Sequence, residues 1–206
     1  MIYERCFKRL LDIFFSLLFL SVTLPFLIII ALLIKLCSPQ GSVLYKHKRI
    51  GKDGKLFGCL KFRTMVPDAD QKLQQYLQEN PAFQEEYQNY FKLKHDPRII
   101  RGIGHFLRNT SFDELPQFIN VLGGQMSIIG PRPIVEAEIP KYGDFFPKLI
   151  SVKPGITGLW QISGRNDISY VERVALDMRY IDNINFKQDV IIAFKTIKVI
   201  LLGKGY

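Results

Sequence analysis

The chain has 206 residues, with 28 Lys and Arg against 19 Asp and Glu, a formal net charge of +9 and 48% hydrophobic residues. That length holds one real core, one domain plus a membrane element. A chain both basic and apolar favours a membrane surface over nucleic acid as partner, and no zinc-finger spacing, basic-leucine heptad or RNA-recognition aromatic motif argues for nucleic acid. Cys6, Cys37 and Cys59 lie far apart with no C-x-x-C, which argues against a disulfide framework or structural zinc and fits a reducing cytoplasm. His47, His95 and His105 form no recognisable catalytic pair and read as solvated or phosphate-adjacent side chains.

Residues 1–12 contain Arg5, Lys8, Arg9 and Asp12, and residues 13–34 then run without a charge. That is long enough to span a bilayer. No small-residue cleavage site marks it as a signal peptide. Pro25 sits inside the run, where it removes a helix hydrogen bond and produces a kink. Basic flanks on both sides, with Lys35, Lys46, Lys48 and Arg49 following, keep both ends untranslocated by the positive-inside rule. A helix broken at Pro25 that returns to the face it entered satisfies both facts, with Ser21 or Thr23 available to bond a freed carbonyl. An ordinary kinked single span is the competing reading.

After a turn at 37–41, residues 43–50 and 56–62 read as a β-hairpin around Gly51-Lys52-Asp53-Gly54. It ends in Lys61-Phe62-Arg63-Thr64-Met65, whose two cations alternate on a strand period and can share one face as phosphate ligands, or form a solvated strand face. Residues 67–95 carry two helical stripes, Ala69, Leu73, Tyr76 and Leu77, then Phe83, Tyr87, Tyr90 and Phe91, with Asn80-Pro81 between them as cap and first helical residue. This insert reads as packing rather than chemistry.

Near the middle stands Ser111-Phe112-Asp113-Glu114-Leu115-Pro116-Gln117. Two adjacent carboxylates precede an apolar helical run stopped by Gly123-Gly124, with Arg98, Arg101 and Arg108 before them and Arg132 after, an arrangement that suggests an anion brought to a carboxylate. Ser111-x-x-Glu114 also fits a capping box in which Glu114 only bonds the Ser111 N–H; Pro116 instead suits the first position of a helix beginning after Leu115. On these seven residues the two readings are even. Gly130-Pro131-Arg132-Pro133 holds its arginine in a frame restricted on both sides, which suits phosphate recognition. In 153–166, glycines permit close backbone approach to a ligand, and Arg165 and Asn166 offer donors, though plain turns share this make-up. A helix from about Tyr170 carries Asp177. The tail 186–202 has Lys187, Lys195 and Lys198 on one helical face and reads as an interfacial helix, or as a buried core helix.

With these motifs in order, KR-x-x-D at 8–12, the proline-broken apolar helix, KFRTM at 61–65, SFDELPQ at 111–117, GPRP at 130–133, KPGITGLWQISGRN at 153–166 and Asp177, nearly the whole chain resembles the bacterial sugar transferase family of monotopic polyprenyl-phosphate phosphoglycosyl transferases. The resemblance implies a mainly α fold with a small β-hairpin, a re-entrant membrane helix over 1–36 broken at Pro25, interfacial amphipathic helices, and a catalytic domain over 37–206 on the cytosolic face of the bacterial inner membrane, with 67–95 as its helical insert. The implied reaction moves a sugar 1-phosphate from a UDP-sugar to undecaprenyl phosphate and releases UMP. Asp113 would be nucleophile and Mg²⁺ ligand, Glu114 its acid/base partner, and Arg108 and Arg132 the phosphate holders, with Lys61, Arg63, Arg165 and Asp177 as further candidates for the active site or nucleotide pocket. Many members place Ser before the helix-breaking proline, where this chain has Leu24. The insert is similar to that of galactose- and glucose-phosphate transferases, which favours UDP-galactose or UDP-glucose as donor; homo-oligomerisation is compatible with the reading. The rival from another class, a non-catalytic basic membrane-surface anchor or scaffold, accounts for the charge and apolar segments but not for Asp113-Glu114 among so many cations.

Overall fold

A computed structural model describes residues 3, 7–80, 83–84, 93, 96–164 and 168–201. Its first element, α1 (Lys8–Cys37), is helical without interruption through Pro25. Pro25 therefore does not end the helix, against the expectation of a break there: an internal proline loses the bond to the carbonyl four residues back, that of Ser21, and crowds it, yet the helical turns on either side persist. The Thr23 hydroxyl donates not to that carbonyl but to Phe19 O at 2.7 Å. Among the described residues α1 is the one helix long and apolar enough to cross a membrane, with a mean hydropathy of 3.0 over its most apolar window.

The hairpin forms as the sequence indicates, from β1 (Leu44–Ile50) and β2 (Leu56–Phe62), antiparallel with His47 opposite Cys59 and Tyr45 opposite Lys61. Its turn uses Asp53 in the left-handed region at φ 58° beside Gly54. Because side chains alternate, His47, Arg49, Cys59 and Lys61 share the inward face. Helix α2 (Ala69–Glu79) follows, closed by Asn80, whose side chain donates to Tyr76 O at 3.0 Å. Most of the second helix expected in the insert lies outside the described residues.

Next come α3 (Ile103–Thr110), a 3-10 turn over Phe112–Glu114, and the short α4 (Gln117–Leu122). Asn120 of α4 fastens it to the free edge of β2: its side-chain oxygen accepts from Leu60 N at 2.8 Å and its NH₂ donates to Gly58 O at 2.9 Å. Strand β3 (Ser127–Ile129) then pairs in parallel with β4 (Gly155–Thr157). Between them lie α5 (Ile139–Tyr142) and α6 (Phe146–Leu149); α7 (Tyr170–Asp182) and α8 (Phe186–Leu201) end the described chain. A true capping box opens α7, where Ser169 N donates to Glu172 Oε2 at 2.8 Å and Glu172 N to Ser169 Oγ at 3.2 Å. The fold is mainly α with a small β component.

The core is distributed rather than single. One cluster joins Ile30 and Ile34 of α1 to Phe62, Ile100, Ile103 and Leu107; another joins Ile129 to Tyr180 and Ile192 of α8. Helix α1 is thus docked at both ends. At its start Lys8 pairs with Asp189 at 2.5 Å, Arg9 donates to Val121 O and Leu122 O, capping the last carbonyls of α4, and buried Asp12 accepts from Ser127 Oγ at 3.0 Å and Ile128 N at 2.9 Å. The tail helix is neither wholly buried nor wholly interfacial: Asp189 and Ile192 are buried, whereas Phe194, Ile197 and the three lysines are exposed.

Candidate active site

The chain reverses at Ser111, which sits in the left-handed region at φ 60° and ends α3. A non-glycine residue there carries backbone strain, and the position cannot act as the N-cap of a following helix, a role that calls for extended dihedrals. No capping hydrogen bond forms at Ser111. The reversal throws Asp113 and Glu114 onto one short turn facing β2, where Lys61 Nζ reaches Glu114 Oε1 at 2.6 Å and Asp113 Oδ2 at 3.7 Å. The choice left even by the local pattern resolves against the capping box, because the Glu114 carboxylate is engaged by Lys61.

The two acids sit in unlike fields. Burial pushes Asp113 up to about 6, with Lys61 and Arg108 opposing and Glu114 adding to the rise. At Glu114 burial is outweighed by Lys61, Arg132 and, with less effect, Arg49, which hold its carboxylate below the usual range. Burial likewise works against the Lys61 charge, and Glu114 and Asp113 overcome it. Glu114 is thereby held charged against Lys61, while Asp113 is the more basic carboxylate, and both line an open groove.

Arg132 lies in the same groove and on a narrow pocket behind Glu114 that Arg49, Lys61 and Gln117 also bound. Its loop is rigid for more reasons than its prolines. The carbonyls of Pro131, Pro133 and Ile134 accept from Gly155 N, Arg49 and Ile50 N at 2.8, 3.0 and 2.9 Å. The glycines around it serve backbone against backbone: a Cβ on Gly155 would stand 2.1 Å from Gly130 N, and one on Gly158 2.2 Å from Gly130 O. Close approach is their purpose, but to the facing loop rather than to a ligand.

Arg108, on α3, donates to Thr64 Oγ1 at 3.0 Å, and its charge acts on Asp113. Arg63 goes elsewhere than its alternation with Lys61 suggests. Past the end of β2 it is buried against the turn after α1, donating to Ser42 O at 2.6 Å, Ser38 Oγ at 2.9 Å and Ser38 O at 2.8 Å. It pins the helix exit. Asp177 is fully buried on α7, with Tyr142 OH donating to its Oδ2 at 2.8 Å; burial pushes it up to about 7. Its contact with the site is the field of Arg132. Arg98 closes on Asp96 at 2.6 Å. Arg165 lies outside the described residues.

Two neighbours of the dyad were not among the site residues named from the sequence, where Arg49 read as a basic flank and His47 as a solvated or phosphate-adjacent side chain. Arg49 sits between Pro133 O and Glu138 Oε2, the latter at 3.6 Å, and His47 Nδ1 lies 3.3 Å from its guanidinium. Burial, then Arg49, Lys61 and Arg132, push His47 down to about 4, so its imidazole is neutral at physiological pH. The hairpin register was the available signal, since odd positions on both strands face the same way.

The bacterial sugar transferase family matches residues 3–203. The UDP-galactose-lipid carrier transferase of Erwinia amylovora is 45% identical over 202 residues, which are 98% of this chain and 42% of that protein. The exopolysaccharide production protein ExoY of Sinorhizobium fredii is 45% identical over 198 residues, 96% of this chain and 87% of that one. The UDP-glucose:undecaprenyl-phosphate glucose-1-phosphate transferase of Escherichia coli is 40% identical over 203 residues, 94% of this chain and 40% of that protein. The chain thus spans about two fifths of the larger relatives and most of ExoY. With its motifs and its dyad set in one cationic site, the chain belongs to the bacterial sugar transferase family.

Proposed function

We propose that the protein transfers a sugar 1-phosphate from a UDP-sugar to undecaprenyl phosphate in two displacements at Asp113. An Asp113 oxygen attacks the β-phosphorus of the donor, forming an acyl phosphate as the phosphoanhydride bond breaks and UMP leaves. An oxygen of the lipid phosphate then attacks the same phosphorus, forming the lipid diphosphate sugar and returning the Asp113 carboxylate. One anhydride is exchanged for another, so catalysis rests on positioning and charge neutralisation. The observation that carries the reading is the unequal grip of Lys61, 2.6 Å from Glu114 and 3.7 Å from Asp113, which leaves Asp113 as the acid able to meet an electrophile. Glu114, held charged, orients Lys61 and can relay a proton at the leaving oxygen. Arg108 and Arg132 bring cations to the transferred phosphate.

Mg²⁺ suits the donor set. Mg²⁺ is commonly held by one or two carboxylates with substrate phosphates, and Asp113 and Glu114 place two carboxylates in the groove. Asp113 would hold it, and the bound cation would lower the repulsion between carboxylate and phosphate. The names of the Erwinia and Escherichia relatives favour UDP-galactose or UDP-glucose as donor, and the exopolysaccharide name of ExoY favours a place in polysaccharide assembly.

The membrane disposition we propose is drawn from α1. Thirty helical residues extend about 45 Å, yet Lys8, Arg9 and Asp12 at one end and Ile30 and Ile34 at the other bind the same body. Such a helix supports a monotopic, re-entrant seat on the cytosolic face of the inner membrane, with one soluble substrate and one lipid meeting at the interface.

The test is UMP release from UDP-galactose and UDP-glucose by detergent-purified protein, with and without undecaprenyl phosphate. Asp113→Asn is expected to lower release to background, a loss of roughly 10³-fold or more. Sustained turnover by that variant overturns the covalent route, and no release from either donor by the wild type overturns the assignment of donor.

A further inference from the structure

Tyr45 and His47 share the inward face of β1 with Arg49, and Tyr45 is paired across the hairpin with Lys61, the residue that grips the dyad. Paired side chains on one face of a hairpin stand about 5 Å apart at Cβ. Tyr45 is therefore beside the dyad's lysine, while neither Tyr45 nor His47 lines the groove that holds Asp113 and Glu114. Tyr45 is 52% exposed. Its ring tilts at 58° against the His47 imidazole, with centroids 5.8 Å apart, so one aromatic face stays open beside the imidazole edge.

The chemistry of His47 is narrower than its position suggests. Burial and the charges of Arg49, Lys61 and Arg132 keep it neutral at physiological pH, so it does not hold a phosphate as a cation. A guanidinium only donates, and the 3.3 Å contact from Arg49 therefore makes Nδ1 the acceptor. The proton of the neutral ring is then on Nε2, at the other edge. That N–H has no hydrogen-bond partner among the described residues. An open aromatic face beside a fixed donor, next to the cations of a phosphate site, seats a flat ring with a carbonyl on its edge. In a nucleoside diphosphate sugar, the sugar rides on the attacked phosphorus, and the base lies beyond the second phosphate and the ribose. The sugar belongs at the dyad and the base to one side of it.

We infer that Tyr45 and His47 form the base subsite of the donor, with the Tyr45 ring stacked on uracil and His47 Nε2–H donating to the carbonyl at position 4. There uracil presents an acceptor and cytosine a donor amine, so a partner that only donates accepts the first base and rejects the second. This rests on the transferase reading above and deepens it by naming the residues that select the base.

Calorimetric binding of UMP and of CMP to purified protein reads the subsite without turnover. The wild type is expected to bind UMP roughly tenfold more tightly than CMP, the scale of one polar group left against the wrong partner. Tyr45→Ala should weaken both nucleotides roughly tenfold, the measure of one base stacked on an aromatic ring, and Tyr45→Phe should retain them. His47→Leu should level UMP with CMP. His47→Gln, whose amide can accept from Arg49 and still donate, should keep the preference. Equal affinities in the wild type, an unweakened Tyr45→Ala, or a preference intact in His47→Leu overturns the assignment. The half-reactions then separate base from sugar. Because the base departs with UMP, Tyr45→Ala is expected to raise the donor concentration needed for the UMP burst and to leave resolution of the phosphosugar enzyme by undecaprenyl phosphate unchanged. Slowing of both steps alike would put the sugar on Tyr45 and overturn the base assignment. Liposome binding lost in Tyr45→Ala with UMP affinity intact would make Tyr45 a membrane-interface aromatic instead. Absence of any UMP burst in the wild type fails the transferase reading, whereas the dependence of UMP binding on Tyr45 is decided without turnover, which keeps the two failures apart.

Discussion

Asp113 and Glu114 are covalent neighbours with opposite electrostatic fates, because a single lysine stands 1.1 Å closer to one than to the other, at 2.6 against 3.7 Å. Environments that push two acids apart are how one site obtains two roles from one chemical group. A third carboxylate, Asp177, is disturbed more by burial, which Tyr142 and Arg132 only partly oppose; among the described residues it forms no ion pair and its Oδ1 accepts no hydrogen bond. Its ordinary value of 3.8 rises to about 7, so the folded state binds a proton that the unfolded chain has already lost above about pH 4. The linked stability is present in full below that point and disappears as pH climbs through about 7. Thermal unfolding followed by the fluorescence of the single tryptophan, Trp160, is expected to show a Tm falling between pH 5 and pH 8, by the equivalent of roughly 2–4 kcal/mol. Asp177→Asn should flatten that slope. A wild type whose Tm is level across the range would mean that Asp177 is ionised in the fold.

At the scale of elements, the site is a meeting of pieces remote in sequence. Asn120 holds α4 on the edge of β2, and the turn bearing the dyad comes with it. The Arg132 loop is pressed on the loop after Lys153 through three glycines with no room for a Cβ. Gly155→Ala is therefore expected to destabilise the protein by roughly 2 kcal/mol or more, seen as a lowered Tm, with activity lost alongside because Arg132 moves. Gly102→Ala makes the comparison informative. Gly102 stands at positive φ, but a Cβ added there would meet nothing within 4 Å, so the change should cost only backbone strain, roughly 1 kcal/mol. Equal losses from both would show that the close approach at 155 costs no more than backbone strain does, and would remove it as the reason for glycine there.

At the scale of the whole molecule, α1 is both membrane element and part of the core. Its exposed apolar face would face lipid, and its buried residues complete clusters that the rest of the chain leaves open. If both ends lie on one side, a membrane-impermeant maleimide should reach Phe7→Cys and native, exposed Cys37 from the same face in sealed vesicles. Labelling from opposite faces would establish a spanning helix. Much of this design is readable in the chain itself. The apolar run, the hairpin, the paired acids before a short helix and the helix from Tyr170 are local patterns of hydropathy, period and turn chemistry, which need no knowledge of distant contacts. The competing capping box at Ser111 stood even with the other reading on the local pattern, with Pro116 counting against it. It lost because Lys61, fifty-three positions away from Glu114, engages that carboxylate, and because the chain turns left-handed at Ser111. Arg63 followed the same alternation as Lys61 but passed the end of the strand and found carbonyls of the Ser38–Ser42 turn instead. Arg49 and His47 carried no local mark and became site residues only through strand register. Sequence thus determined which elements form and which chemistry is on offer, since both depend on neighbours along the chain. Tertiary structure alone decided which cation meets which anion, because Coulomb and hydrogen-bond energies fall off over a few ångströms and register sets those distances.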